Sequence, residues 1–153
     1  MTSNFFAAGA AAMTSSRDDW ETPQSLFDKL DAIHCFTLDP CATEGNAKCQ
    51  KFYTVEDDGL AKSWAGEVVF CNPPYGRNIG AWYRKCYDES ERAKVVLLAP
   101  ARTDTSYFHD YVYHKDGVVI EFLRGRLRFE LGGVALNAAP FPSMIVTFDR
   151  GNA

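Results

Sequence analysis

The 153 residues suffice for one domain with a sizeable core and are too few for two ordinary ones. Hydrophobic residues make up 46% and charged residues 24%, a globular composition, with no apolar stretch of about 18 residues to span a bilayer. A net charge of −4 argues against nucleic-acid binding by bulk charge, so any such contact must come from a local basic patch.

The opening "MTSNFFAAGAAAMTSS" has no positive charge ahead of its small apolar residues, which fits a secretory signal poorly. It predicts a flexible tail over 1–16 and a single domain over 17–153. In "DDWETPQSLFDKLDAIH", Thr22 reads as a helix N-cap and Pro23 as the first helical residue, with Leu26, Phe27, Leu30 and Ile33 forming the apolar stripe. "CFTLDP" reads as a strand stopped by Asp39 and Pro40, "KCQKFYT" as a second strand, and "EDDGLAKSW" as a polar turn before a short irregular or helical piece. "EVVF" is a third strand, rich in β-branched residues. Ile79, Trp82, Tyr83, Cys86 and Tyr87 then share one face of a helix predicted over 79–92. "KVVLLAP" is the clearest buried strand, and "TDTSYFHDYVYH" begins with cap-type residues and predicts a short helix. "GVVIEFLRGRLRFE" and "PFPSMIVTFD" are two long strand-like runs. Strands alternating with helices, then two consecutive strands, predict an α/β fold whose sheet is mostly parallel with an antiparallel C-terminal end.

The five cysteines include no Cys-x-x-Cys pair and no histidine at zinc-finger spacing, which predicts free thiols in a reducing cytoplasm. His109 and His114 are not at metal spacing either, so no metal site is expected.

The loop "NPPY", placed directly after "EVVF", carries the chemistry. Both prolines have fixed φ and no N–H, and the residue before each is pushed into an extended conformation. The loop is therefore stiff, and its carbonyls have few local donors. Asn72 adds a neutral amide acceptor and Tyr75 a flat face that can stack on a planar group. Two acceptors beside an aromatic face suit a planar molecule bearing an –NH2 group. Holding both N–H bonds favours pyramidalisation of the nitrogen as it attacks, so the loop binds the transition state better than the ground state. The electrophile that fits is the methyl of a sulfonium donor.

With these residues in place, the chain resembles the phage-type DNA N6-adenine methyltransferases. "TPQSLFDKLD", "FTLDPCATEGNAKC", "FYTVEDDGL", "VVFCNPPYGRNIGAW", "LLAPARTDTSYFHDYV", "FLRGRLRF" and "APFPSMIVTF" follow one another in that order over nearly the whole chain outside the tail. "NPPY" is shared with enzymes that methylate RNA bases or protein glutamine; the ordered blocks are more specific. The resemblance implies an abbreviated Rossmann-like methyltransferase fold with helices on both faces, S-adenosylmethionine as donor and adenine in DNA as acceptor. It implies Asn72, Pro73, Pro74 and Tyr75 as the catalytic loop, with Asn72 and the Pro73 carbonyl holding the amine and Tyr75 stacking on the base. It implies Asp39, Pro40, Cys41 and Ala42 as the donor loop, with Trp20, Thr22 and Pro23 beside it. An acidic residue for the donor's ribose or adenine falls among Glu56, Asp57 and Asp58. The usual glycine-rich donor turn is reduced to "ATEGN", with Gly45 alone, and only about 20 residues separate Gly45 from Glu67, too few for two full β-α units.

For DNA, "FLRGRLRF" sets Arg124, Arg126 and Arg128 at period two, on one face of an extended segment, where guanidinium groups suit phosphates. Arg77 and Arg102 extend the patch. Reaching adenine N6 in a duplex requires flipping the base out of the stack, or an unpaired strand. No insertion is long enough for a separate recognition domain, which predicts weak or short sequence specificity in a monomer or homodimer. Methylation of an RNA base or a protein glutamine, and DNA binding without turnover, are the competing readings.

Overall fold

A computed structural model describes residues 20–152. The tail expected over 1–16, and the first three and last residues of the domain expected over 17–153, lie outside the described residues. In chain order the elements are α1 (Gln24–His34), a 3-10 turn (Gly59–Ala61), β1 (Val68–Cys71), α2 (Ile79–Glu89), β2 (Lys94–Pro100) and α3 (Ser106–Tyr111). They continue with β3 (Val118–Phe122), β4 (Glu130–Leu131), β5 (Val134–Ala135), β6 (Ser143–Phe148) and a last 3-10 turn (Arg150–Asn152).

Four strands form one sheet in the order β1-β2-β6-β3. β1 and β2 are parallel, and β6 runs antiparallel to both β2 and β3, so three of the four strands point the same way. The two strands expected in "CFTLDP" and "KCQKFYT" shrink to isolated parallel bridges, Leu38 with Val69 and Asp39 with Phe52. They still extend the sheet beyond β1, because Phe70 N–H donates to the Leu38 carbonyl and Tyr53 N–H to the Asp39 carbonyl, at 2.9 Å each.

Period-two alternation along the strands divides the core into two halves. On one face Val69, Val95, Leu97 and Val146 pack against Ile79, Trp82, Tyr83 and Cys86 of α2 and Phe108 of α3. On the other, Phe70, Val96, Leu98 and Ile145 pack against Phe27 and Leu30 of α1. The α/β class, the mostly parallel sheet with an antiparallel C-terminal pair and the helices on both faces are as expected. β2 spans the whole of "KVVLLAP", and each of its residues after Lys94 is buried.

Three local expectations change. Pro23, with ψ 130°, is the N-cap of α1 rather than its first residue, and its carbonyl takes the Leu26 and Phe27 N–H groups; the Thr22 side chain is engaged elsewhere. Ile33 lies on the solvent side, 73% exposed, since the buried stripe of α1 is only Phe27 and Leu30. The long strand expected through "FLRGRLRF" ends at Phe122: the chain bends at Arg124 and Gly125, whose φ of +77° suits glycine. Residues 126–129 then pair with 136–139 through Ala139 N–H to the Leu127 carbonyl and Leu136 N–H to the Phe129 carbonyl. The hairpin at the end of that arm turns on Gly132 and Gly133, both at positive φ, the two-residue loop that matches strand twist.

Candidate active site

Strand direction decides where the site can lie. The carboxyl ends of β1, β2 and β3 and the amino end of β6 meet at one edge of the sheet, since Pro100 pairs with Ser143 and Phe122 with Met144. In open α/β sheets ligands bind outside the carboxyl ends of the strands. The loop after Asp39, the Asn72–Tyr75 turn, residues 101–105, the "FLRGRLRF" segment and the approach to β6 all leave from this edge.

Between the first two of these loops lies a cavity of about 360 Å³, within the range of small-molecule sites. Of the residues assigned to the donor, Trp20, Thr22, Asp39, Pro40, Cys41, Ala42 and Asp58 line it; Pro23 and Asp57 do not. Asn72, Pro73 and Pro74 form the opposite wall. Asp57 instead closes its own turn, accepting from the Thr54 N–H at 2.9 Å, a bond that holds its pKa below the usual carboxylate value. Asp58 is in left-handed conformation, φ 58°, and caps the following 3-10 turn from the cavity wall.

Asp39 is buried, and its carboxylate organises the loop that follows: Oδ2 accepts from the Lys48 N–H at 3.0 Å and Oδ1 from the Cys41 N–H at 3.4 Å. Burial raises its pKa, and those N–H bonds together with the Lys48 charge oppose the rise. The Lys48 ammonium, bonded to Gln24 Oε1 at 2.7 Å, belongs to a residue of the cavity wall. Gly45 makes no close approach, whereas a Cβ on Gly59 would sit 2.0 Å from the Pro40 carbonyl oxygen. Gly59 is thus the glycine that lets two backbones meet behind the cavity. The Trp64 indole N–H donates to the Gly59 carbonyl at 3.1 Å and steadies that contact from the core.

The Asn72 carboxamide is oriented by its neighbours. Nδ2 donates to the Trp20 carbonyl and, at 2.9 Å, to Thr22 Oγ1, which leaves Oδ1 as the acceptor of the side chain. The Tyr75 hydroxyl donates to that Oδ1 and lies 3.2 Å from the Leu98 carbonyl. The Tyr75 ring is half-buried and meets Phe129 and Phe141 edge to face, with centroids 6.1 and 5.7 Å away. Burial, more than its neighbours Tyr83 and Cys41, pushes its phenol well above the ordinary tyrosine pKa, so it is a hydrogen-bond donor at neutral pH. Among the described residues no backbone or side-chain donor reaches the Pro73 carbonyl.

The arginines fall into two groups. Arg77, Arg124, Arg126 and Arg128 are exposed, and Arg102 is exposed with its guanidinium 6.0 Å above the Phe141 ring. Arg126 Nη1 donates to the Ala139 carbonyl at 3.2 Å and Arg128 Nε to the Leu136 carbonyl at 2.9 Å, which staples the bent segment. Arg124 lies at the bend itself and outside their alternation. Cys41 and Cys71 stand Sγ to Sγ 3.8 Å apart, and all five cysteines are free thiols. Among the described residues there is no cluster able to hold a metal ion and no helix long and apolar enough to cross a membrane.

The family model described as DNA N-6-adenine-methyltransferase (Dam) matches residues 9–150. The chain belongs to this family. The resemblance carried by the ordered sequence blocks is confirmed. A DNA N-6-adenine-methyltransferase of Haemophilus phage HP1 is 38% identical over 140 residues, 88% of this chain and 80% of that protein. Another of that description, from Escherichia phage T1, is 33% identical over 95 residues, 60% of this chain and 40% of its own length. The putative methyltransferase YfdM of Escherichia coli K12 is 37% identical over 65 residues, 38% of this chain and 71% of that protein.

In this member of the DNA N-6-adenine-methyltransferase family, sequence reasoning missed Gly59, Lys48 and the two phenylalanines around Tyr75. "DDGL" carried a signal for Gly59, a glycine after two acids, but nothing local says that Pro40 approaches it. Phe129 and Phe141 lie in blocks that carried the resemblance, yet their nearness to Tyr75 follows only from the folding back of residues 126–129 and 136–139.

Proposed function

We propose that the protein is an S-adenosylmethionine-dependent methyltransferase acting on the N6 amino group of adenine in DNA, built on an abbreviated Rossmann-like methyltransferase fold. The observation that carries this reading is the Asn72 amide, whose nitrogen is held by Trp20 and Thr22 so that its oxygen is left as acceptor, next to a Pro73 carbonyl that no donor reaches among the described residues. The donor fits the adjoining cavity by its chemistry. Trp20 and Trp82 offer apolar faces, the Asp58 carboxylate lies where a ribose or an exocyclic amine can be bonded, and the Lys48 ammonium complements a carboxylate. Asp39, Pro40, Cys41 and Ala42 supply the loop behind it.

When bound, the donor supplies an electrophilic methyl group on a sulfonium. Asn72 Oδ1 and the Pro73 carbonyl accept the two N–H bonds of the adenine amine, and Pro74 keeps the turn stiff. One lone pair of Oδ1 already accepts from Tyr75, and the second is available to the amine. On methyl transfer, positive charge would grow on the nitrogen between the two fixed dipoles of Asn72 and Pro73, and the surplus proton would then pass to solvent water. The Tyr75 ring, backed by Phe129 and Phe141, stacks on the base, which is flipped from a duplex or comes from an unpaired strand. Arg77, Arg102, Arg124, Arg126 and Arg128 contact phosphates around the same sheet edge.

Incubating unmethylated DNA with the protein and S-adenosylmethionine, then mapping modified bases by sequencing, tests this directly. N6-methyladenine is expected. Transfer into RNA or protein glutamine, with DNA left unmodified, would refute the substrate assignment.

A further inference from the structure

We infer that Thr22, besides lining the cavity, is a positioning residue for the Asn72 carboxamide. The inference rests on the reading of Asn72 as an amine acceptor. A carboxamide has two N–H donors and one oxygen, and its two orientations differ only by a half-turn about the last side-chain bond. Here both donors are used: one on the Trp20 carbonyl, one on Thr22 Oγ1 at 2.9 Å. The reverse orientation would bring Oδ1 against the Trp20 carbonyl, acceptor facing acceptor, so the backbone of Trp20 sets the sign of the amide. Thr22 fixes the second N–H and so the angle at which Oδ1 faces the substrate.

Thr22 is only 2% exposed, which leaves little room for water to replace a lost acceptor. The Tyr75 hydroxyl completes the set by donating to Oδ1. Every polar atom of the Asn72 side chain therefore has a partner except one lone pair, the one the amine needs. The residues involved lie in two loops 50 positions apart in the chain, and that distance separates this role from a local cap.

Three proteins decide the point: wild type, Thr22→Val, which keeps the shape and removes the acceptor, and Thr22→Ser, which keeps the acceptor and removes a methyl. Measured quantities are kcat at saturating donor, the donor Kd by calorimetry and melting temperature. For Thr22→Val we expect kcat to fall by about 10²-fold, the loss typical of small misplacements at a reacting centre, with the donor Kd within twofold of wild type. Thr22→Ser should recover most of that kcat. A raised donor Kd with unchanged kcat in Thr22→Val would overturn the inference, as would equal losses in the two variants, which would mean lost packing only.

The Asn72 side-chain amide protons give a readout independent of activity. In wild type, NMR should find both slowly exchanging, and assignment comes from their disappearance in Asn72→Asp. Fast exchange of both would refute the clamp even if Thr22→Val failed to fold. Should wild type prove inactive on DNA, RNA and protein, the methyl-transfer reading falls and these amide protons still decide the clamp.

Discussion

At the scale of single residues, the Asn72–Tyr75 loop is a set of committed hydrogen bonds rather than an open platform. Asn72→Ala removes the acceptor and, with it, one side chain of the wall opposite the donor loop, while Asp39, Pro40, Cys41, Ala42 and Asp58 stay in place. Loss of one such preorganised dipole costs about 10²–10³ in kcat. We expect that fall in a radiolabelled methyl-transfer assay, with the donor Kd changed little. Tyr75 has two separable parts. Tyr75→Phe keeps the ring between Phe129 and Phe141 and frees Asn72 Oδ1 of the hydroxyl, so methyl transfer should persist. Tyr75→Ala loses the stacking face, worth about 1–3 kcal/mol per base, and should raise KM for DNA accordingly. Equal defects in the two variants would place the function in the hydroxyl. The identity of these four loop residues was legible in "NPPY"; which way the amide points was not, because its partners Trp20 and Thr22 come from another part of the chain.

At the scale of elements, two contacts tie the irregular segment between α1 and β1 to the sheet. Gly59 presses on the Pro40 carbonyl, and any Cβ there forces the backbones apart. Overpacking of this kind costs about 1–3 kcal/mol, so Gly59→Ala should melt at a lower temperature and bind the donor more weakly than wild type. Gly45→Ala, where a Cβ meets nothing closer than Thr43 Oγ1 at 3.9 Å, should do neither. The second contact is Glu67, whose carboxylate takes the Lys51 ammonium and the Thr37 hydroxyl. These partners lower its pKa below the usual 4.5, the Lys51 bond contributing most. A depressed folded-state pKa contributes stability that is present above the unfolded value and fades as pH falls through the folded one. Glu67→Gln should therefore melt below wild type at pH 7, by the small amount an exposed pair allows, and the gap should close under acid. A gap that widens as pH falls would contradict the pairing.

At the scale of the whole molecule, the proposed function asks an acidic chain to hold a polyanion. Strand order answers this by sending the arginine-bearing loops to the edge that carries the Asn72 turn, while the net charge of −4 counts residues everywhere else as well. Binding should depend steeply on salt. Arg124 donates to no backbone carbonyl among the described residues, so Arg124→Ala should lower the salt slope on duplex DNA by about 0.9 with melting unchanged. Arg126→Ala and Arg128→Ala also lose their bonds to Ala139 and Leu136, and should weaken DNA binding and lower the melting temperature together. Wild-type slopes in all three would remove the row from the interface.

The sequence by itself determined the α/β class, the buried strand "KVVLLAP" and the helices α1 to α3, because apolar spacing is a local property, and its ordered blocks carried the family. It could not determine that the "FLRGRLRF" run bends at Gly125 and returns Phe129 to the core beside Tyr75, since period two describes a strand only while its partner continues. Nor could it decide that Gly59 meets Pro40 or that Thr22 clamps Asn72. Those contacts join segments separated along the chain, and only the order and direction of the strands brings them to one edge of the sheet.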